Sequence, residues 1–112
     1  MKLKAVALLY LAALSSAAHA SDQTPGKISG VYSMDNGAFM FFSNGTRTGT
    51  IPSCAESKPT RWSIDGTTAE GNLKVASLLT AFSLGKNVTV FGKGVCTSWA
   101  DTEEVKYVYV AD

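Results

Sequence analysis

The chain of 112 residues is poor in the residue types on which many catalytic and metal sites depend. It has one histidine, His19, and two cysteines, Cys54 and Cys96. Without a histidine in the rest of the chain, Ser-His and Cys-His nucleophiles cannot be assembled, and two cysteines alone cannot complete a zinc site. The sequence therefore predicts a protein that is not an enzyme and that uses no metal or other cofactor.

Only the amino terminus carries a sustained apolar run. Lys2 and Lys4 precede this run, which covers residues 5–14, and residues 18–20 (AHA) have the small-x-small pattern of a cleavage site. These features are typical of a signal peptide over residues 1–20. No later segment approaches the roughly 20 apolar residues that a membrane-spanning helix needs. We therefore predict an exported protein, periplasmic or secreted, without a membrane anchor.

The remaining chain also lacks a charge excess. Residues 21–112 carry eight Lys and Arg against nine Asp and Glu, so their formal net charge is −1. Proteins that bind nucleic acid through its phosphates normally present a basic surface, which this composition does not supply. Nucleic acid is therefore excluded as a predicted partner.

The length is that of a single domain, with no repeat or linker to divide it.

Two cysteines in an exported protein most often form a disulfide, and Cys54 and Cys96 allow one intramolecular pairing. Such a bond would stabilise the fold by roughly 4 kcal/mol on the chain-entropy model. A reactive or metal-binding pair would need a different spacing or further ligands.

Alternating and apolar segments predict five strands. The first two flank an Asp-Asn-Gly turn at residues 35–37, a strong hairpin signal. Gly92 and Gly94 interrupt the fourth and indicate a bulge or sharp bend. Residues 21–27 are polar and are predicted to be a flexible leader. The predicted strands cover residues 28–34, 38–43, 60–65, 87–95 and 105–111.

One helix is predicted between the third and fourth strands. Thr67 and Glu70 have the spacing of a capping box at its start, and Gly85 can close its carboxyl end in the left-handed conformation. Apolar residues recur between these ends at helical spacing and predict one buried face. That predicted face contains Leu73, Val75, Ala76, Leu78, Leu79 and Phe82.

The order of three strands, one helix and two strands is that of the OB-fold, a five-stranded and partly open barrel. In this fold class the helix would cover one end of the barrel. The same elements also fit an open sheet with the helix packed on one face. The second predicted strand, residues 38–43, is apolar on both faces, so we expect it to be covered by the core and by a neighbouring subunit.

Three runs carry a family resemblance: RWSID at residues 61–65, ASLLTAFSLGKNVTVFGKGVC at residues 76–96 and DTEEVKYVYV at residues 101–110. Together they resemble small exported bacterial proteins similar to the binding subunit of subtilase cytotoxin. The resemblance implies an OB-like barrel, assembly as a homopentamer with an enzymatic partner subunit, as in AB5 toxins, and a host glycan as ligand. It covers about residues 61–110 and assigns no ligand residue.

Carbohydrate recognition needs an aromatic face for the sugar ring and polar groups for its hydroxyls. Two patches offer these groups, although each has a simpler explanation. Trp99 could instead cover the disulfide, its neighbouring carboxylates could form a solvated edge, and the hairpin turn alone accounts for the polar residues of the second patch. The glycan-binding candidates are Trp99, Asp101 and Glu103 in one patch and Tyr32, Asp35 and Asn36 in the other.

Two functions follow from these predictions. The first is an exported, non-enzymatic, homo-oligomeric module that recognises a glycan and docks a partner subunit. The second is a stand-alone periplasmic or secreted protein-interaction domain without a ligand pocket.

Overall fold

The computed structural model describes residues 20–112, so the predicted signal peptide lies almost wholly outside the described residues. The protein is mainly β with one α-helix, as predicted. A short 3-10 helix spans Ser53–Ala55. The other elements are β1 (Ser21–Gly26), β2 (Ile28–Ser33), β3 (Ala38–Ser43), β4 (Arg47–Gly49), β5 (Arg61–Asp65), α1 (Ala69–Leu84), β6 (Asn87–Gly92) and β7 (Val105–Ala111).

The strands form two antiparallel sheets. One has the order β4-β1-β6-β7 and the other the order β2-β3-β5. Among the described residues, a parallel bridge joins Ser63 of β5 to Glu104, the residue before β7. The helix α1 contacts strands of both sheets. Among residues 20–112 these two sheets do not close into a barrel, and the predicted five-strand order of an OB-fold is not confirmed.

The predicted flexible leader is instead strand β1, which pairs with β4 on one side and β6 on the other. Its inward side chains, Ser21 and Gln23, are polar and yet almost fully buried. Their partners come from distant parts of the chain, which no local pattern predicts. The register with β6 shifts between Gln23 and Gly26, where Pro25 has no N–H to donate.

The helix begins one residue later than predicted. Thr68 is its N-cap, and the Thr68 hydroxyl accepts a hydrogen bond from the Gly71 N–H at 2.9 Å. Thr67, the predicted cap, donates its hydroxyl proton to Asp65 Oδ1 at 2.6 Å instead. The predicted end is confirmed, because Gly85 is the C-cap with φ of 64°.

The buried face of α1 differs from the predicted stripe. Leu78 is fully buried and Val75 half-buried, but Leu73, Leu79 and Phe82 are exposed. Ala76 is exposed as well. The reason lies at the first turn, where a Cβ added to Gly71 would be 1.7 Å from the Asp65 carbonyl oxygen. The first turn of the helix therefore packs against the end of β5 at Gly71. Leu78 and Ala81 lie on the same face of the helix as Gly71, and this is the face that is buried.

Strand β3 is covered on both faces within the chain, so burying it requires no second subunit. Phe39 and Phe41 belong to the core, Met40 is 1% exposed, and Phe42 stacks on Tyr32 with ring centroids 5.9 Å apart. The core contains Ile28, Phe39, Phe41, Trp62, Ile64, Leu78, Ala81, Val88, Val90 and Val105.

The disulfide between Cys54 and Cys96 is present, with a Cα–Cα distance of 6.2 Å. It links the 3-10 helix to the loop that follows β6. That strand ends at Gly92 and not at residue 95, and its register with β7 shifts between Phe91 and Gly92, as the glycines predicted.

Candidate functional site

Arg61 of β5 joins side chains from both predicted glycan patches. Its Nη1 donates a hydrogen bond to the Tyr32 hydroxyl oxygen at 3.1 Å, and its Nη2 forms an ion pair with Asp101. Its Nε donates to Thr102 Oγ1 at 2.8 Å. One guanidinium therefore brings Tyr32 and Asp101 together. Sequence reasoning missed Arg61, since 40 residues separate it from Asp101.

The hairpin between β2 and β3 lies beside the loop that precedes β7. Asn36 Oδ1 accepts a hydrogen bond from the Ala38 N–H at 3.0 Å, and Asn36 Nδ2 donates to the Ser98 carbonyl oxygen at 3.5 Å. Gly37 adopts the positive φ expected of an Asn-Gly turn, and Asp35 is exposed. The two predicted patches are thus neighbours at this end of the molecule.

Trp99 is half-buried and begins a tight turn before β7. Its carbonyl oxygen accepts a hydrogen bond from the Thr102 N–H at 3.2 Å, and Asp101 lies within the turn. Its proposed contact with a sugar and its alternative role over the disulfide both stay predictions.

Glu103 does not lie with Trp99 and Asp101 on the surface. The Glu103 side chain is fully buried, and hydrogen bonds occupy both carboxylate oxygens. Oε1 accepts from the Ser21 hydroxyl at 2.5 Å and from Arg47 Nη2 at 2.8 Å, while Oε2 accepts from the Gly94 N–H at 3.0 Å. In this structure the carboxylate is an internal structural group, inaccessible to a sugar.

Arg47, the ionic partner of Glu103, is held by stacking and further hydrogen bonds. Its guanidinium carbon lies 3.6 Å from the centroid of the Trp62 ring, and its Nη1 donates to the Pro59 carbonyl oxygen at 2.9 Å. Burial lowers the pKa of Arg47, although the hydrogen bond and charge of Glu103 oppose this shift. Trp62 in turn donates from its Nε1 to Gln23 Oε1 at 2.9 Å. The network fixes β1, β4 and β5 around one buried charge pair.

A separate concave cleft of about 550 Å³ opens between the first turns of α1, the β2–β3 hairpin and the loop after β6. Its volume is within the range of small-ligand sites. Most of its lining residues have polar or charged side chains, although nearly half of the wall surface is apolar, and they include Asn36 of the second predicted patch. The charged side chains are Asp65, Glu70, Lys74, Lys93 and Glu104, and the hydroxyl groups come from Thr67, Thr68, Thr97 and Ser98.

Glu104 anchors the floor of this cleft. Thr97 donates its hydroxyl proton to Glu104 Oε2 at 2.7 Å, Ser98 donates to Oε1, and Lys93 Nζ lies 3.3 Å from Oε2. Burial raises the pKa of Glu104, but the bonds from Ser98, Thr97 and Lys93 more than offset it, so the pKa is lowered overall. The carboxylate stays ionised and orders the loop that forms one wall.

Lys74 forms the wall contributed by the helix. Its Nζ donates to the Val105 carbonyl oxygen at 3.3 Å. Burial lowers the pKa of Lys74, and the positive charge of Lys93 lowers it further against the opposing charges of Glu104 and Glu70. Two cations therefore face one buried carboxylate. Lys74 and Lys93 carry no local motif that marks them as site residues.

The described residues contain no group of three or more His, Cys, Asp or Glu side chains arranged to hold a metal ion. Within the same range, no helix has the length and apolar character needed to cross a membrane. The geometry presents a polar cleft beside an aromatic and acidic loop. When the chain was compared with protein-family models, curated proteins and solved structures, no match was found.

Proposed function

We propose that the protein is an exported, non-enzymatic binding module that recognises a glycan in the cleft beside α1. The observation that carries the proposal is the chemistry of the cleft walls: hydroxyl, amide, carboxylate and ammonium groups converge there from the helix start, the hairpin and the loop after β6. A sugar presents many hydroxyls, each able to donate and accept, and such walls can satisfy both roles. Trp99 does not line the cleft, but it follows the lining residue Ser98 in the chain and is the aromatic residue that we propose contacts the sugar ring.

The floor of the cleft is preorganised. The bonds from Thr97, Ser98 and Lys93 to Glu104 fix its floor, so a ligand would not have to order these side chains on binding. Both signs of charge are present, which favours a neutral or singly charged sugar over a polyanion.

The fold proposed for this module is an OB-like, partly open barrel. Its support is that β1 and β2 are separated by one residue, Lys27, and join the two sheets at one side. On the other side, the bridge between Ser63 and Glu104 links β5 to the start of β7. If β1 and β2 count as one bent strand, and β3 and β4 count as the second strand that pairs along it, three strands precede α1 and two follow it, which is the order of an OB-fold.

Export and self-association complete the proposal. The disulfide is typical of an oxidising compartment, which supports a signal peptide at residues 1–20. Exposed apolar side chains on α1 and β7, including Leu73, Leu84 and Tyr109, offer a surface for a second copy of the chain, and β7 is an edge strand. A homopentamer that docks an enzymatic subunit is the assembly that the resemblance to AB5 binding subunits implies.

A glycan-array measurement tests the ligand. Lys93→Gln removes one exposed ammonium from the cleft, and its matched control, Lys58→Gln, removes an exposed ammonium elsewhere. We expect the Lys93 variant to lose at least tenfold in affinity for any glycan bound by the wild type, and the control to lose none. Absence of glycan binding by the wild type, or equal binding by both variants, contradicts the proposal.

A second measurement tests whether Trp99 contacts the sugar. We expect Trp99→Ala to weaken glycan binding while leaving the denaturation midpoint within a small margin of the wild type. If binding is unchanged, Trp99 has no part in the site.

The alternative function is a stand-alone protein-interaction domain without a ligand pocket. The exposed apolar face of α1 is the observation that favours it. The native mass separates the alternatives: a monomer that binds no glycan supports the interaction domain, whereas a closed oligomer supports the toxin-like module.

A further inference from the structure

The backbone nitrogen of Ser21 lies against a buried carboxylate. It donates a hydrogen bond to Glu103 Oε2 at 3.3 Å, and the Ser21 hydroxyl donates to Oε1 at 2.5 Å. Ser21 and Glu103 are both 0% exposed, although 82 residues separate them. Ala20, the residue immediately before Ser21, is exposed. The nitrogen therefore lies just inside the surface, where the chain enters the protein.

The peptide bond to this nitrogen is the one that the predicted signal peptide would lose. Hydrolysis between Ala20 and Ser21 breaks the C–N bond, and water supplies a hydroxyl to the Ala20 carbonyl carbon and a proton to the Ser21 nitrogen. The resulting amine takes up a further proton near neutral pH and becomes an α-ammonium group. We propose that Glu103 is a binding site for the chain's own processed amino terminus, so that cleavage converts a neutral hydrogen bond into a buried ion pair.

The distribution of partners around Glu103 supports this assignment. Oε1 faces the Arg47 guanidinium at 2.8 Å. Among the described residues, Oε2 receives hydrogen bonds from two neutral backbone groups, the N–H groups of Ser21 and Gly94. In the processed chain Oε2 gains a cationic partner, and each carboxylate oxygen then faces one positive charge. Charge-assisted hydrogen bonds are shorter and stronger than neutral ones, and the 3.3 Å separation leaves room to shorten.

Arg47 bonds only one oxygen of this carboxylate, Oε1. Its guanidinium also donates to the Ser21 hydroxyl oxygen at 2.6 Å and to the Pro59 carbonyl oxygen at 2.9 Å, and it is stacked on Trp62. A buried carboxylate is costly unless its charge is fully compensated. Arg47 already balances the formal charge of Glu103, so the contribution of the α-ammonium is a charge-assisted hydrogen bond to Oε2, whose attraction must exceed the repulsion between the ammonium and Arg47.

Two proteins that differ by one residue isolate the effect. The first begins at Ser21 and the second at Ala20, each released from a fusion whose protease leaves no extra residue. Ala20 is exposed, so the extension turns the Ser21 nitrogen into an amide and moves the α-ammonium one residue outward, to the surface. At pH 7 we expect the unfolding equilibrium constant of the protein that begins at Ser21 to be at least about tenfold smaller than that of the protein that begins at Ala20. Urea denaturation measures both constants.

The pH dependence of this difference has a defined sign. Glu103 and Arg47 are the charged groups that surround the Ser21 nitrogen from other elements, and Asp22 follows it in β1. The proposal requires the attraction of Glu103 to outweigh the burial of the amine and the positive charge of Arg47, so that the pKa of the amine in the folded state lies above its ordinary value of roughly 7.7–8.0. The advantage of the Ser21 protein is therefore fully present below that value and disappears as the pH rises through the folded-state pKa. The lysines titrate equally in both proteins and cancel, and the Ala20 amine of the longer protein lies at an exposed position, away from Glu103.

Glu103→Gln, made in both proteins, completes a double-mutant cycle with the change of amino terminus. Its matched control is Glu56→Gln, which removes an exposed carboxylate elsewhere. We expect the difference between the two amino termini to vanish in the Glu103 variant and to persist in the Glu56 variant. A second measurement serves if Glu103→Gln does not fold: the pH profile of acylation of the Ser21 amine in the wild-type protein reports its pKa directly. Equal stability of the two proteins, or a Ser21 amine that titrates as it does in the unfolded chain, overturns the proposal.

Discussion

Gly92 lies where β6, β1 and the buried carboxylate meet. A Cβ added at this position would be 1.8 Å from Glu103 Oε2 and 2.6 Å from the Ser21 carbonyl oxygen. Neither distance is compatible with van der Waals contact, and the nearest backbone belongs to the centre of a sheet. Position 92 must therefore remain glycine for the Glu103 network to form.

Gly92→Ala should be strongly destabilising. Displacing Glu103 from Arg47 leaves a buried charge without its partner, a change that costs about 3–5 kcal/mol in proteins. Urea denaturation of the variant measures the free energy of unfolding. The control is Gly30→Ala, where the added Cβ would lie 3.6 Å from the Phe42 ring, and we expect a change below about 1 kcal/mol. Similar losses in both variants would show that the steric argument is mistaken.

Glu104 should dominate the acid side of the stability profile. Its pKa is lowered in the folded state, so its contribution is fully present above the ordinary carboxyl pKa and is lost as the pH falls through the lower folded value. We expect the free energy of unfolding to fall below about pH 4.5, and Glu104→Gln to flatten that slope. Glu56→Gln, at an exposed position, should leave the slope intact. Chemical denaturation across pH 3–7 distinguishes the two variants.

At the scale of elements, α1 has apolar residues on more than one side, and its packing decides which of them are buried. Leu78 is 0% exposed, and its neighbour Leu79 is 41% exposed. Both belong to the stripe predicted from sequence. Gly71 determines which face of α1 is buried, because only a residue without a side chain allows the helix to pack this closely against the end of β5.

Leu78→Ala and Leu79→Ala therefore form a matched pair. Removing Leu78 leaves a cavity in the core and should reduce the free energy of unfolding by about 2–5 kcal/mol. Removing Leu79 deletes partly exposed surface and should cost less than about 1 kcal/mol. Thermal or urea denaturation provides both values, and a larger loss at Leu79 would imply that a second subunit covers this face.

Elements with local signals were predictable from the sequence, and those held by distant partners were not. The closing glycine of α1, the hairpin at residues 35–37 and strand β7 follow from turn chemistry and alternation. Strand β1 could not be predicted in this way, because its buried polar side chains form hydrogen bonds with residues that are remote in sequence. Ser21 bonds to Glu103, and Gln23 bonds to Trp62 and Ser43. The cleft was missed for the same reason: Asn36 alone of the six predicted glycan residues lines it.

At the scale of the whole molecule, the disulfide ties the long connection between β4 and β5 to the loop that carries the candidate site. Cys54 and Cys96 are 42 positions apart, so the bond restricts a large part of the unfolded chain. The predicted pairing is confirmed.

Reduction, or replacement of both cysteines by serine, should lower the free energy of unfolding by about 2–5 kcal/mol. The measurement is urea denaturation with and without reductant, and free thiols counted under denaturing conditions verify the starting state. The double-serine variant is its own control, since reductant should not affect it. A reductant-insensitive wild-type protein would contradict the expected contribution of the bond.

The central position of β1 has a kinetic consequence. This strand precedes the rest of the described chain, yet its two neighbours are β4 and β6, and its first residue contacts Glu103 from the far end. Although β1 is synthesised first, it stays unpaired until its neighbours β4 and β6 have been synthesised. Topologies dominated by such long-range pairings fold slowly, on the millisecond-to-second scale. A polypeptide with this connectivity cannot complete its four-stranded sheet until nearly the whole chain has been synthesised.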